Sequence, residues 1–228
     1  MKNQKNPPRH LGIIMDGNRR WAKTHNLPAL EGHRRGAQTL KNIALAAKRK
    51  GIKTLTFFCF STENWQRSKS EVDYLMDLIH EMFATRMNEL QKEQIKITVI
   101  GQKDKLPKKV SKEIDIVEEE TKHNAGMTLN LALSYGGRAE IVDAVKKLIK
   151  SGVDPEKITE ETVKENLWTS DVDLIVRTGG EQRSSGFLLW QAAYSEFLFV
   201  KKYWPDFDEN DLDAALAEYA SRQRRFGR

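Results

Sequence analysis

Asp16 closes the apolar run "LGIIM" and is followed at once by Gly17, Asn18, Arg19, Arg20 and Trp21. A carboxylate beside a turn that carries two guanidinium groups suits phosphate oxygens. Gly17 allows close backbone approach, and a helix starting at the turn offers free N–H groups to an anion. A lone carboxylate there can also hold Mg²⁺ that is shared with the phosphate. The alternative for Asp16 is an N-cap aspartate with no ligand.

Two further segments repeat the pattern. "STENWQRSKSE", 61–71, supplies Ser61, Asn64 and Arg67 around Trp65. "RTGGEQRSSGF", 177–187, supplies Arg177, Arg183, Ser184 and Ser185 among glycines, a composition suited to cradling a diphosphate through hydroxyl, N–H and guanidinium donors. Each cluster follows an apolar run, which implies one composite site rather than three accidents. His33, in "EGHRRG", precedes a helix beside two arginines and joins the candidates.

Spacing excludes several other chemistries. The chain has no G-x-x-x-x-G-K-[ST] for a nucleoside triphosphate and no G-x-G-x-x-G after the first strand for a dinucleotide. "DFDENDLD", 206–213, has Asp211 where a calcium loop needs glycine and Ala217 where it needs glutamate, so it reads as a helix N-terminus. The five histidines show neither H-E-x-x-H nor zinc-ligand spacing with a cysteine.

The elements that must hold these clusters follow from periodicity. Apolar runs at 11–15, 53–60, 95–101, 127–133 and 172–176 predict buried strands, and apolar residues three and four apart predict helices over 34–51, 70–93, 107–123 and 137–152. The segment 151–171 is a polar connection with a short helix. Alternation of strand and helix implies an α/β domain with a mostly parallel central sheet flanked by helices, and ligands of such sheets gather outside the carboxyl ends of the strands. The helix from about Ser70 to Gln91 has a wide, methionine-rich apolar set: Val72, Leu75, Met76, Leu78, Ile79, Met82, Phe83, Met87 and Leu90. It reads either as a core helix or as one wall of an apolar cavity.

The whole chain sets the remaining bounds. Its 228 residues, 39% hydrophobic and 31% charged, fit a single domain over 1–228, with 1–9 expected to be a flexible N-terminal segment. The net charge of +6 suits an anionic partner. The arginines lie in compact clusters rather than a stripe interleaved with stacking aromatics, which argues against nucleic acid. Cys59 is the only cysteine, so no internal disulfide forms, and the N-terminus lacks an apolar signal region. A cytoplasmic protein is expected.

Taken in order from His10 to Gly227, "HLGIIMDGNRRWAK", "EGHRRGAQTL", "FSTENWQRSKSEV", "LALSYGGRAEIVDA", "VDLIVRTGGEQRSSGFLLWQAAYSEFLFVKKYWPDF" and "RQRRFG" resemble cis-prenyltransferases of the undecaprenyl diphosphate synthase type. The resemblance implies one α/β domain, usually a homodimer, enclosing a hydrophobic tunnel below a polar mouth. It also implies an allylic diphosphate primer, commonly farnesyl diphosphate, extended by isopentenyl diphosphate with Mg²⁺ as cofactor. The D-D-x-x-D motif of trans-acting prenyl synthases is absent. The carrier-lipid product would bring the protein transiently to a membrane surface.

Carried over residue by residue, Asp16 matches the essential aspartate that assists Mg²⁺ and departure of the primer diphosphate. Gly17, Asn18, Arg19 and Arg20 match the turn that grips that diphosphate, and Trp21 and His33 match neighbouring contacts. Ser61, Thr62 and Glu63 match a substrate loop, Asn64 the residue proposed as proton acceptor, Trp65 and Arg67 further contacts, and Glu71 a residue of the closing flap. Arg177, Arg183 and Ser185, with Ser184 between them, match the isopentenyl diphosphate site. Glu196 in "AYSEF" matches a second metal ligand.

Three positions depart from the family pattern. Ala29 stands where an arginine is usual, leaving a phosphate contact absent or supplied by Arg34 or Arg35. Gly186 replaces the asparagine of R-x-S-N-F, and Ser68 replaces a proline. Cys59, where short-chain relatives carry a bulky residue, is small and points to a medium or long product. A non-catalytic partner subunit is the rival reading. Retention of Asp16, Asn64, Arg177, Arg183 and Glu196 together argues against it.

Overall fold

The computed structural model describes residues 7–222, apart from the side chains at 86–88 and 91. Residues 1–6 of the expected flexible segment, most of the closing "RQRRFG" and the Met87 side chain therefore lie outside the described residues. At the near end of that segment, the Arg9 carbonyl accepts from the N–H groups of Lys53 at 3.0 Å and Thr54 at 2.8 Å.

Six strands form one sheet: β1 (His10–Ile14), β2 (Thr54–Ser61), β3 (Ile95–Ile100), β4 (Met127–Tyr135), β5 (Leu174–Arg177) and β6 (Glu196–Phe199). Their order is β3-β4-β2-β1-β5-β6 and every pairing is parallel. The near-continuous apolar runs have the cause expected for such a sheet, since β1 and β5 are buried at every position. β6 goes beyond the five predicted strands. Its four residues, "EFLF", are intermediate or exposed and too short to show a period.

Helices cover both faces. Leu40 and Ile43 of α2 (Ala29–Arg49), Leu75 and Ile79 of α3 (Lys69–Glu81), Ile114 of α5 (Lys108–Thr121) and Leu212 of α8 (Glu209–Ser221) pack with Leu11, Ile13, Leu55 and Phe57 of the sheet into the larger core. On the other face Ile14, Tyr135, Ile175, Phe187 and Leu188 form a second core. The sheet is thus the middle layer of a three-layer α/β domain. The predicted helix over 70–93 is broken after α3 by a π-helical turn at Met82–Arg86 before α4 (Met87–Lys92). The polar connection carries the short α7 (Glu160–Glu165), after α6 (Gly137–Lys150).

The acidic stretch opens α8 as expected. The Asp208 carboxylate accepts from the N–H groups of Asn210 at 2.8 Å and Asp211 at 3.1 Å, filling the N-cap role. Just upstream, Trp204 is fully buried, and its Nε1 donates to the Gly36 carbonyl at 2.9 Å. That bond fixes the segment after β6 against α2, directly below the turn that follows β1.

Candidate active site

All three polar clusters emerge at the carboxyl edge of the sheet. Ile14 lies in register with Phe58 of β2 and with Arg177 of β5, so the segments after β1, β2 and β5 open side by side. Asp16 lies just past Ile14, and α1 (Asn18–Thr24) follows it. The N-cap of α1 is Gly17 at φ 108°, so Asp16 is not the cap. A Cβ on Gly17 would lie 2.6 Å from the Tyr203 ring, and the left-handed φ disfavours other residues in any case.

The Asp16 carboxylate joins two of the clusters. Arg177 Nη2 lies 2.8 Å from Oδ2, and Arg20 Nη2 lies 3.1 Å from Oδ1. Partial burial pushes the Asp16 pKa up, but the Arg177 hydrogen bond and the charges of Arg20 and Arg177 outweigh it and hold the group below the ordinary carboxylate range. Asp16 is therefore ionised at neutral pH. The Arg177 side chain is 5% exposed and also donates through Nη1 to Ser185 Oγ at 2.9 Å and to the Arg183 carbonyl. Arg177 Nε is buried without a partner.

The second cluster closes the opposite wall. Ser61 caps a 3₁₀ turn at Thr62–Gln66, and its N–H donates to Asn64 Oδ1 at 3.1 Å. Trp65 Nε1 donates to Ser134 Oγ at 2.9 Å, and its ring packs edge-on against Phe60. Glu71, in the first turn of α3, is a hub: Arg67 lies 3.0 Å away, Arg19 3.8 Å and His33 Nε2 4.0 Å. Burial and the charges of Arg67 and Arg19 bring the His33 pKa down to about 4 against the pull of Glu71, so the imidazole is neutral. Thr62 and Glu63 lie on the 3₁₀ turn beside these groups, with Glu63 exposed.

Asp16, Gly17, Asn18, Arg19, Arg20, His33 and Arg67 line a cavity of about 540 Å³. Met15, Asn18 and His33 also line a second, apolar pocket of about 70 Å³ with Cys59, Leu75, Leu78, Ile79 and Met82. Helix α3 is thus both core and cavity wall. The volume falls below the roughly 300–1,000 Å³ of pockets that bury drug-sized ligands. Among the described residues this pocket is a small apolar cavity beside the polar one, not a full-length tunnel.

Glu196 is not brought beside Asp16. It begins β6 in register with Leu174, itself in register with Leu11, which places it at the amino edge of the sheet. There it pairs with Arg222 at 2.8 Å. Among the described residues no three histidine, cysteine or carboxylate side chains gather as a metal cage. Trp21 turns its Nε1 to Asp206 at 2.7 Å and stacks on His25, outside the lining of this cavity.

The departures have structural accounts. Gly186 adopts φ 78°, a left-handed conformation that glycine enters without strain and that asparagine tolerates better than most residues. Its carbonyl accepts from the Gly137 N–H at 2.9 Å, tying the Ser184–Ser185 loop to α6. Buried Glu140 reinforces this tie by accepting from Gln191 Nε2 at 2.8 Å and from the Tyr135 hydroxyl. Burial raises the Glu140 pKa against these hydrogen bonds. Ser68 has φ −55°, the angle a proline would impose, and caps α3. Arg34 and Arg35 do not replace the contact absent at Ala29, because they line a separate groove with Trp21 and Leu27.

Residue by residue, the sequence reading left out Thr178, Glu181 and Lys23. Thr178 is fully buried. Its Oγ1 accepts from the Asp16 N–H at 3.0 Å and donates to the Asp16 carbonyl at 2.7 Å. Glu181 lies between Arg20 at 3.4 Å and Arg183 at 2.6 Å. Thr178 and Glu181 stand inside the "RTGGEQR" segment, where arginine, glycine and serine drew the attention.

Residues 14–227 match the family model described as putative undecaprenyl diphosphate synthase. The chain belongs to the cis-prenyltransferase family. The isoprenyl transferase of Thermotoga maritima is 50% identical over 96% of this chain and 97% of its own length. Among solved structures, lavandulyl diphosphate synthase from Lavandula x intermedia, in complex with dimethylallyl diphosphate, superposes with a TM-score of 0.94 at 40% identity, covering 97% of this chain and 99% of that one. A probable undecaprenyl diphosphate synthase from Campylobacter jejuni gives a TM-score of 0.85 at 33% identity, covering 98% and 100%. This cis-prenyltransferase is therefore a prenyl-transferring enzyme whose substrates are diphosphates, and its arginine clusters carry the charge such substrates require.

Proposed function

We propose that the enzyme condenses isopentenyl diphosphate onto an allylic diphosphate primer such as farnesyl diphosphate, with Mg²⁺, to give a medium or long polyprenyl diphosphate for carrier lipid. The observation that carries this reading is the shared anchoring of Asp16 by Arg177 and Arg20. It places one ionised carboxylate between the two arginine clusters, beside a cavity that opens onto apolar side chains.

In the reaction the allylic C–O bond breaks and its electron pair leaves on the diphosphate. The isopentenyl double bond supplies the pair for the new C–C bond, and loss of a proton restores a double bond. Arg19, Arg20 and Arg67 stabilise the charge on the departing diphosphate where it develops. Arg177, Arg183 and Ser185 hold the isopentenyl diphosphate. The ionised Asp16 carboxylate would hold Mg²⁺, since magnesium commonly takes one or two carboxylates plus phosphate oxygens, and the ion would then offset charge on the leaving group. Because a neutral amide such as Asn64 is a poor base, a diphosphate oxygen is the better proton acceptor, while the Asn64 oxygen accepts from the Ser61 N–H. The apolar wall keeps water from the cationic carbon.

Purified protein with labelled isopentenyl diphosphate and farnesyl, geranyl or dimethylallyl diphosphate, with and without Mg²⁺ and beside Asp16→Ala, tests the proposal. A metal-dependent ladder absent from the variant supports it, and no incorporation with any primer refutes it. A second reading, a short primer and product, is favoured by the 70 Å³ of the apolar pocket. The dimethylallyl arm decides it.

We also propose a homodimer. Val142, Val145 and Ile149 on α6 are 53%, 39% and 68% exposed, an apolar stripe that a second copy would cover. Light scattering tests it. No described helix is long and apolar enough to cross a membrane, and we propose transient contact at a membrane surface for delivery of the product.

A further inference from the structure

Around the Asp16 cavity the arginines are already engaged by carboxylates of the same chain. Arg19 and Arg67 face Glu71, and Arg20 faces both Asp16 and Glu181. His33 is neutral and half-buried near Glu71. Lys23 is the exception. It lies in the last turn of α1, exposed, on the cavity lining, and has no ion pair among the described residues. Ala29, which opens α2 and lines the same cavity, adds no charge.

We propose that Lys23 is the capture residue for the allylic diphosphate, making the first charge contact at the mouth before the arginines exchange carboxylate oxygens for phosphate oxygens. The inference rests on the diphosphate-primer reading above. An ammonium on a flexible four-carbon stem is a compact point charge that can reach an incoming anion without first breaking an internal bond. Arg20 and Arg67, by contrast, hold Asp16, Glu181 and Glu71 at 3.0–3.4 Å and Arg19 stands 3.8 Å from Glu71, so these carboxylates offset part of the charge the arginines present to an incoming anion. A residue acting this way changes capture, and therefore KM, more than the chemical step. Its effect falls as salt screens the field.

Steady-state kinetics of the full-length enzyme with Lys23→Gln, Lys23→Glu and Lys23→Arg test this, varying farnesyl and isopentenyl diphosphate separately at low and high salt. Lys150→Gln, at the far end of α6, controls for net charge. The expected result is a rise of about five- to tenfold in the KM for the allylic substrate with Lys23→Gln at low ionic strength. The rise is larger for Lys23→Glu, falls to about twofold in high salt, and is recovered by Lys23→Arg, with kcat and the KM for isopentenyl diphosphate unchanged. An unchanged allylic KM in an active enzyme overturns the inference. So does a fall in kcat alone, a rise in the isopentenyl KM instead, or an equal effect of Lys150→Gln. A wild-type enzyme inert with every allylic diphosphate overturns the underlying reading instead, and binding of inorganic pyrophosphate to wild type and Lys23→Gln then tests the capture site by itself. Equal affinities there overturn the inference as well.

Discussion

Arg177 Nη2 donates to Asp16 Oδ2 at 2.8 Å across 161 residues of sequence, and the same guanidinium holds Ser185 through Nη1. One buried cation therefore positions both the carboxylate of the first cluster and the loop of the third. Arg177→Lys keeps the charge but loses the fork, so kcat should fall by about a hundredfold or more, while the thermal midpoint drops only modestly. Steady-state rates beside calorimetry check this. Loss of activity matched by loss of folding would refute the positioning role.

Thr178 extends the β5 ladder with a side chain where the backbone pairing stops, holding the Asp16 peptide from both sides. Thr178→Val, nearly the same shape, removes both side-chain bonds and leaves the Asp16 N–H only the Ile14 carbonyl and the Asp16 carbonyl only the Trp204 N–H, which costs on the order of 0.5–1.5 kcal/mol per bond. The expected outcome is a kcat reduced about tenfold or more with little change in either KM, and recovery in Thr178→Ser. A variant with wild-type kcat would remove Thr178 from the site.

His33 gives a pH signature in stability. Its folded pKa of about 4 lies below the unfolded value of 6.5, so between these pH values the unfolded chain binds more protons. The stability is complete above about pH 6.5 and is lost as pH falls towards 4, by on the order of 3 kcal/mol at most. Urea melts across this range should show the slope in wild type and a flatter one in His33→Gln. Equal slopes would mean that His33 titrates alike in the folded and unfolded chain, and a reversed slope that Glu71 holds the imidazole charged.

Cys59 lines the apolar pocket with Leu75, Leu78 and Met82. Burial pushes its thiol pKa up, so it is an unreactive spacer rather than a nucleophile. Cys59→Phe should fill the pocket and shorten the product ladder while leaving the first condensation intact. Thin-layer separation of the labelled products reads the change, and an unaltered ladder would place the growing chain elsewhere.

The three polar clusters were legible because each is a compact polar segment at the end of an apolar run, and in a parallel sheet those ends share one edge. The partners within the site were less so. Thr178 matters only because Ile14 and Arg177 are in register, which no local pattern reveals. β6 escaped notice because four half-exposed residues carry no period. The π turn at Met82–Arg86 was hidden because apolar residues continue through it. Glu196 came from resemblance alone, and the sheet register places it at the amino edge, away from Asp16.

The strand order also bears on how the enzyme is made. β1 emerges early from the ribosome, yet one of its two neighbours, β5, begins only at Leu174. Until then the nascent sheet ends on a strand that is apolar after His10 and open on one side, the kind of edge that invites pairing with another chain. The same strand arrives with Arg177. Closing that sticky edge and completing the anion site are therefore a single event, and a polypeptide truncated before it would be inert and prone to aggregate.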